Sequence, residues 1–202
     1  GNAIILYTDT FEMIETFPIL SPTIDAYGEE IGWSPDGDRI AILADYIHTL
    51  GVLDVTTGTW EEDDDPANLS QRLPWRSGNQ PRPMMYDFAW NPDGTLVAIT
   101  NVREIQLKDT NTYEIVNVLQ AETEEGYAIQ RIAWSPDGVY LAAARTTGKG
   151  IEIWDMATLE LVTILTGDFE RIRSLDWNFD GTRLASANGN NVQIWDAANW
   201  EL

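Results

Sequence analysis

A five-residue motif, Trp-Ser-Pro-Asp-Gly or a close variant, occurs four times in this chain of 202 residues. Its tryptophans are spaced 57, 44 and 43 residues apart, at Trp33, Trp90, Trp134 and Trp177. The best-defined copy lies within Ile129–Leu165, where turns join four short runs rich in aliphatic and aromatic residues, as strands prefer. A repeat of about 40–45 residues with four strands per copy is typical of the blades of a β-propeller.

The Pro-Asp-Gly part of the motif predicts a tight turn between the first two strands of each unit. Proline presets φ, the aspartate side chain accepts hydrogen bonds from nearby backbone amides, and glycine adopts a positive φ without a steric penalty. The fourth copy, Trp177–Gly181, has Phe179 where the others have proline. We therefore expect its turn to be less rigid.

The repeats predict one all-β domain over residues 1–202. Residues 1–17 align with the last two strands of a unit, so they are expected to form a partial blade. Four units are predicted to follow, at about 28–65, 84–120, 127–166 and 170–202; the first three are complete, and the fourth lacks its last strand. The long first spacing reflects an inserted loop at 61–83, which opens with an acidic run and contains several prolines. These incomplete ends indicate either a piece of a longer chain or a ring completed by a second copy.

Charge and composition exclude several classes of function. The chain has 33 acidic and 12 basic residues, a net charge of −21, which disfavours nucleic acid and anionic membranes and favours basic protein surfaces or cations. It has no cysteine and one histidine, His48, which excludes disulfides, thiolate chemistry, histidine-cluster metal sites and most acid–base triads. No cofactor is predicted. No apolar run approaches the about 18–20 residues of a membrane span, and no signal peptide opens the chain, which favours a soluble, cytoplasmic protein.

Two segments, IEIWDMAT and VQIWDAAN, place an Ile-Trp-Asp run about 20 residues downstream of the Trp-containing turn. Together with that turn, they closely resemble the WD-repeat β-propellers over nearly the whole chain except 61–83. The resemblance implies four-stranded antiparallel blades stacked radially around a channel. The TolB-like and peptidase-associated propellers also use Ser-Pro-Asp-Gly turns, but the Ile-Trp-Asp ending favours the WD-repeat family.

The chain also departs from the family pattern. The Gly-His pair before the first strand is absent, and Gly167-Asp168 lies in its place. The His–Ser–Asp hydrogen-bond network typical of eukaryotic members therefore cannot form. The departures favour a bacterial member whose blades rely on apolar packing.

The resemblance implies a non-enzymatic protein-interaction scaffold without catalytic, cofactor or metal residues. Partners of such propellers dock on the face that carries the loops before the first strand. Mapping by position predicts contact residues just inside the first strands, namely Glu29, Tyr86, Gln130 and Arg173. Their predicted neighbours are Tyr127, Arg131, Phe169 and Arg171. On the inserted loop, the predicted partner-binding residues are Arg72, Trp75 and Arg76, because aromatic and arginine side chains are frequent interface anchors.

Two other functions stay open at this point. A structural subunit could assemble rings or filaments by sharing strands between copies. Alternatively, carboxylates around the channel could serve a propeller-based enzyme or ligand-binding domain. The acidic run Glu61–Asp65 lacks the spacing of a dedicated calcium loop and is interpreted as a solvated charged loop.

Overall fold

The structure, a computed structural model, describes residues 2–6, 13–18, 28–44, 49–62, 87–100, 104–120, 128–145, 150–167, 171–189 and 191–202. His48 and most of the 61–83 insertion lie outside these residues. The chain divides into two compact units, Gly1–Arg82 and Pro83–Leu202, and each is described by itself. The predicted single domain stays a prediction.

The first unit contains two antiparallel sheets. A strand pair is formed by β1 (Asn2–Leu6) and β2 (Met13–Pro18). The second sheet, blade 1, has four strands hydrogen-bonded in chain order. They are β3 (Gly28–Trp33), β4 (Arg39–Ala44), β5 (Thr49–Asp54) and β6 (Trp60–Glu62).

The second unit contains three further sheets, each with its strands adjacent in chain order. Blade 2 comprises β7 (Phe88–Trp90), β8 (Leu96–Thr100), β9 (Glu104–Asp109) and β10 (Ile115–Gln120). Blade 3 comprises β11 (Ile129–Trp134), β12 (Tyr140–Arg145), β13 (Ile151–Asp155) and β14 (Glu160–Leu165). Blade 4 has three strands, β15 (Ile172–Trp177), β16 (Arg183–Asn188) and β17 (Asn191–Asp196). All pairings are antiparallel, and every regular element of the described residues is a strand, so the predicted all-β propeller fold of four-stranded blades with an N-terminal strand pair is confirmed.

The turn that follows each inner strand has the predicted chemistry. In blade 3, Gly138 has φ +74°, its N–H donates to the Ser135 carbonyl at 2.9 Å, and Asp137 Oδ1 accepts from the Val139 amide at 3.0 Å. The turn with Phe179 has the same backbone hydrogen bond, from Gly181 N to the Asn178 carbonyl at 3.0 Å. The proline is therefore not needed for the backbone conformation of this turn.

These turns predict a loss of stability in acid. Hydrogen bonds, first of all from Ser34, Thr95, Ser135 and Thr182, hold the pKa of the turn aspartates below the ordinary value of 3.8; these are Asp36, Asp93, Asp137 and Asp180. Because the pKa is lower in the folded chain, the unfolded chain takes up protons first as the pH falls. The free energy of unfolding should be constant above about pH 5 and should decrease below about pH 4. Thermal unfolding of the wild type and Asp137→Asn across this range tests the prediction: the variant should show the smaller decrease, and parallel curves would contradict it.

The blades of the second unit pack through the predicted tryptophans. Trp177 is 7% exposed, and its face of blade 4 packs on Ala142, Ala144 and Ile153 of blade 3. The Trp177 indole Nε1–H donates to the Ala133 carbonyl of blade 3 at 3.1 Å, and the Trp134 indole makes the same bond to the Ala89 carbonyl of blade 2 at 3.1 Å. Each of these tryptophans thus contributes apolar area and one directional contact to the preceding blade.

Trp33 differs from its counterparts. It is 50% exposed, so the predicted burial of this indole in an inter-blade core is wrong for blade 1. Trp134 and Trp177 show what shields this position, because a backbone carbonyl of the preceding blade accepts their indole N–H.

Polar groups also hold the blades, in addition to the predicted apolar packing. The Trp195 indole donates to Ser186 Oγ at 3.1 Å, and the Trp154 indole donates to Glu152 Oε2 at 3.0 Å. Glu152 also binds the guanidinium of Arg145, through Nε at 2.7 Å, and both side chains are buried. A buried polar network therefore connects the second and third strands of blade 3.

Candidate partner-binding site

Most of the predicted contact residues that the structure describes lie on or next to neighbouring inner strands of the second unit. β7, β11 and β15 are the first strands of blades 2, 3 and 4, and β11 contacts both β7 and β15. Gln130 and Arg131 belong to β11, Arg173 belongs to β15, and Arg171 directly precedes β15. The fold therefore brings together residues that are about 40 positions apart in the sequence.

A β-bulge recurs at the predicted contact position of the inner strands. In β11 the register shifts between Ile129 and Arg131, which leaves Gln130 as the extra residue. In β15 it shifts between Ile172 and Ser174, which leaves Arg173 as the extra residue. In the first unit, β3 has the same shift around Glu29. Bulges interrupt the strand pairing and redirect a side chain, and they are frequent next to functional sites.

Hydrogen bonds join the two inner strands at this end. Arg131 Nε donates to the Arg173 carbonyl at 2.9 Å, and Arg131 Nη1 donates to the Gln130 carbonyl at 2.7 Å. Arg171 Nε donates to Gln130 Oε1 at 3.0 Å. We call Gln130, Arg131, Arg171 and Arg173 the arginine cluster; within it, Arg131 fixes backbone and Gln130 orients Arg171.

The arginine cluster combines a half-buried base with an exposed rim. Gln130 and Arg131 are half-buried, whereas Arg171 and Arg173 are exposed. Within the part of the chain that the structure describes, neither Arg171 nor Arg173 forms an ion pair with a carboxylate. Guanidinium groups stay protonated at any physiological pH, so the rim presents two permanent positive charges.

Asp87 supports the strand that carries Arg131 and was not predicted from the sequence. It is 8% exposed, and its Oδ2 accepts a hydrogen bond from the Ile132 amide of β11 at 2.9 Å. Thr100 Oγ1 accepts from the Asp87 amide at 3.0 Å, which ties Asp87 to β8. The only sequence signal was its position directly after Tyr86, the predicted contact residue of blade 2.

The other predicted contact residues either lie outside the residues that the structure describes or have no described side chain. Tyr86, Tyr127, Phe169, Arg72, Trp75 and Arg76 belong to segments that the structure does not describe. Glu29 lies at the bulge of β3 in the first unit, and its side chain is not described. The assignment of these residues, and of the arginine cluster, to partner binding stays a prediction.

Away from the arginine cluster, the described residues carry little that could serve another chemistry. Among them, no group of three or more His, Cys, Asp or Glu side chains could hold a metal ion, and no helix in the described ranges is long and apolar enough to cross a membrane. Lys108 lies in β9 at the position of the tryptophan of Ile-Trp-Asp; it is 1% exposed, and burial lowers its pKa to about 8.

Comparison with known families agrees with this architecture. The family model described as "Anaphase-promoting complex subunit 4 WD40 domain" matches residues 88–168, and the model described as "WD domain, G-beta repeat" matches residues 159–196. The second match covers β14 to β17, which are the outer strand of one blade and three strands of the next. The chain belongs to the WD-repeat β-propeller family.

Three relatives share limited identity with parts of this chain. Protein HIR1 of Cryptococcus neoformans is 28% identical over 119 residues, which cover 55% of this chain and 13% of HIR1. Anaphase-promoting complex subunit cdc20 of Dictyostelium discoideum is 34% identical over 83 residues, covering 41% of this chain and 16% of that protein. A eukaryotic translation initiation factor 3 component of Cryptococcus neoformans is 22% identical over 174 residues, covering 76% of this chain and 23% of that protein. The matched regions thus span less than a quarter of each of these three relatives.

Proposed function

We propose that this WD-repeat propeller is a non-enzymatic protein-interaction scaffold that docks its partner on the arginine cluster. The observation that carries the proposal is the bulged end of the inner strands. There, Arg171 and Arg173 are exposed; Gln130 Oε1 accepts from the Arg171 guanidinium, and the Arg131 guanidinium donates to the backbone carbonyl of Arg173. Exposed arginines on a rigid base are typical of interface anchors, because little side-chain freedom is left to lose on binding.

The names of two relatives support a role in assemblies. One is a subunit of the anaphase-promoting complex, and another is a subunit of a translation initiation factor. Each belongs to a multi-subunit assembly by its own name. We carry over only the general role, since the matched regions cover small parts of those proteins.

The chemistry of the arginine cluster favours binding over catalysis. A guanidinium cannot act as a general base because its nitrogens have no free lone pair to accept a proton, and an amide side chain such as that of Gln130 is not a nucleophile. These groups donate hydrogen bonds and positive charge, which orient a bound surface without changing its covalent structure.

The experiment removes the exposed charges and measures what remains bound. The tagged chain is purified from cells that produce it naturally, and copurifying proteins are quantified by mass spectrometry for the wild type and for Arg171→Ala/Arg173→Ala. We expect at least one specific partner to decrease by about tenfold or more, since loss of anchor residues usually dominates binding.

Arg183→Ala is the matched control for this experiment. Arg183 is exposed at the start of β16, in the same blade, and lies outside the arginine cluster. Capture should be unchanged in this variant. Equal capture by the wild type and the double variant would contradict the proposed docking surface, as would an equal loss with Arg183→Ala.

Other predicted functions and partners stay predictions. They are the second copy that completes the ring, strand sharing in rings or filaments, the propeller-based enzyme or ligand-binding domain, and the contacts of the 61–83 insertion.

A further inference from the structure

We propose that the partner contributes an acidic polypeptide segment, whose Asp or Glu carboxylates bind the guanidinium groups of Arg171 and Arg173. This inference rests on the proposed docking function and specifies the chemistry of its ligand. It starts from the orientation of the two exposed arginines and from the charge of the whole chain.

The hydrogen bonds of the arginine cluster limit how the Arg171 guanidinium can turn and fix the backbone at Arg173. Arg171 uses Nε to bind Gln130 Oε1, which leaves the two terminal nitrogens of its planar fork for a ligand. The backbone of Arg173 is held by the Arg131 guanidinium, and its side chain leaves the strand at a bulge. A planar fork with two parallel N–H donors matches a carboxylate, which can accept both hydrogen bonds at once.

Two other arginines of the second unit interact with a described carboxylate. In the whole sequence, acidic residues outnumber basic residues by 33 to 12. Arg145 is paired with the buried Glu152, and the charge of Arg183 helps to lower the pKa of Asp180. By contrast, no carboxylate of the described residues pairs with Arg171 or Arg173. The described part of the fold thus leaves two cations at one end of the inner strands, where an external carboxylate can reach them.

The net charge of −21 favours basic partners for the surface as a whole, so an acidic ligand is inferred only for the local surface at Arg171 and Arg173, and only as a short segment. At −21 the protein repels nucleic acid, whose affinity for proteins depends on many phosphate contacts with basic residues. Charges farther away than the Debye length of about 8 Å are largely screened at physiological ionic strength. A short segment with two or three carboxylates therefore senses the nearby guanidinium groups more than the distant acidic surface.

The test uses the full chain and a defined probe. A short fluorescein-labelled peptide of alternating Glu and Gly is titrated with the protein, and fluorescence anisotropy gives the dissociation constant. We expect saturable binding that weakens about two- to fivefold with either Arg171→Ala or Arg173→Ala and weakens further as salt is added. A peptide with Gln in place of Glu should not bind.

Controls separate the arginine cluster from general charge effects. Arg183→Ala removes the same charge from another part of blade 4 and should leave the dissociation constant within a factor of about two. Arg131 is left intact because its hydrogen bonds position the strand of Arg173. Equal binding of the Glu and Gln peptides would overturn the inference, as would tighter binding of an oligothymidine probe.

Failure of the acidic-ligand inference can be distinguished from failure of the proposed docking function. If a copurifying partner depends on Arg171 and Arg173 but the Glu peptide does not bind, the docking surface stands and the acidic ligand is wrong. If the copurifying partner is unaffected by Arg171→Ala/Arg173→Ala, the docking function itself is wrong.

Discussion

Replacing Trp177 with alanine is expected to lower the free energy of unfolding by about 3–5 kcal/mol, the usual cost of removing a large buried aromatic side chain. The indole is 7% exposed and packs between blades 3 and 4. Its ring stacks on Tyr140 with centroids 6.5 Å apart and meets Trp200 edge-on at 6.1 Å. The substitution also leaves the Ala133 carbonyl without its indole donor, which adds to the cost of the cavity.

Chemical denaturation followed by circular dichroism measures this effect. Phe179→Ala is the matched control, because Phe179 lies two residues away in the same turn and is 98% exposed; its change should stay within about 0.5 kcal/mol. The loss of unfolding free energy in Trp177→Phe should lie between those of Trp177→Ala and Phe179→Ala, because phenylalanine keeps an aromatic ring and lacks the N–H. A cost below about 1 kcal/mol for Trp177→Ala would show that blades 3 and 4 are not joined through this side chain.

Glu152→Ala is expected to lower the free energy of unfolding by a similar amount, about 3–5 kcal/mol, because it breaks a buried ion pair and leaves one charge uncompensated. Glu152 is 0% exposed, and Arg145 is 6% exposed. Without the carboxylate, the Arg145 guanidinium lies in a site closed to water. The Trp154 indole N–H loses its acceptor at the same time.

A double variant separates the uncompensated charge from the loss of packing. Arg145→Met/Glu152→Gln removes both charges and retains an amide oxygen that can accept from Trp154. It should recover most of the stability lost in Glu152→Ala, since an ion pair replaced by groups of similar volume is often neutral. Glu160→Ala, at an exposed position of the same blade, should change stability by less than about 0.5 kcal/mol. If the double variant were as unstable as Glu152→Ala, the uncompensated charge would not be the cause.

The sequence predicted most residues of the candidate site from their positions within the repeat. Gln130 and Arg173 were predicted as equivalent residues of two units, and Arg131 and Arg171 as their neighbours. The sequence could not predict that Gln130 accepts from Arg171 or that Arg131 binds the Arg173 carbonyl. These contacts depend on how β11 and β15 lie against each other and on the register shifts in both strands. Register is a property of a strand pair, so one strand's sequence does not specify it.

The sequence also did not predict which charged side chains are buried. Asp87, Lys108, Arg145 and Glu152 have the residue types that usually lie on the surface, and nothing in their immediate neighbours indicates burial. The left-handed conformations of Tyr113, Leu159 and Trp200, with φ of 58–61°, were missed too. They occupy the position that Gly58 occupies in blade 1, but their side chains give no local signal of a positive φ.

The sequence alone determined the strands, their turns and the propeller class, because those depend on short-range effects that repeat. Proline fixes φ, aspartate accepts from amides two residues ahead, glycine takes the left-handed region, and short runs rich in aliphatic and aromatic residues form strands. Only the tertiary structure decided which charges are paired inside a blade, which tryptophans are covered, and which arginines remain available at the inner strands. The charge pair inside a blade, Arg145 with Glu152, depends on how two adjacent strands of one sheet are aligned. The covered tryptophans and the arginines at the inner strands depend on contacts between residues about 40 positions apart, which form only when one sheet packs against the next.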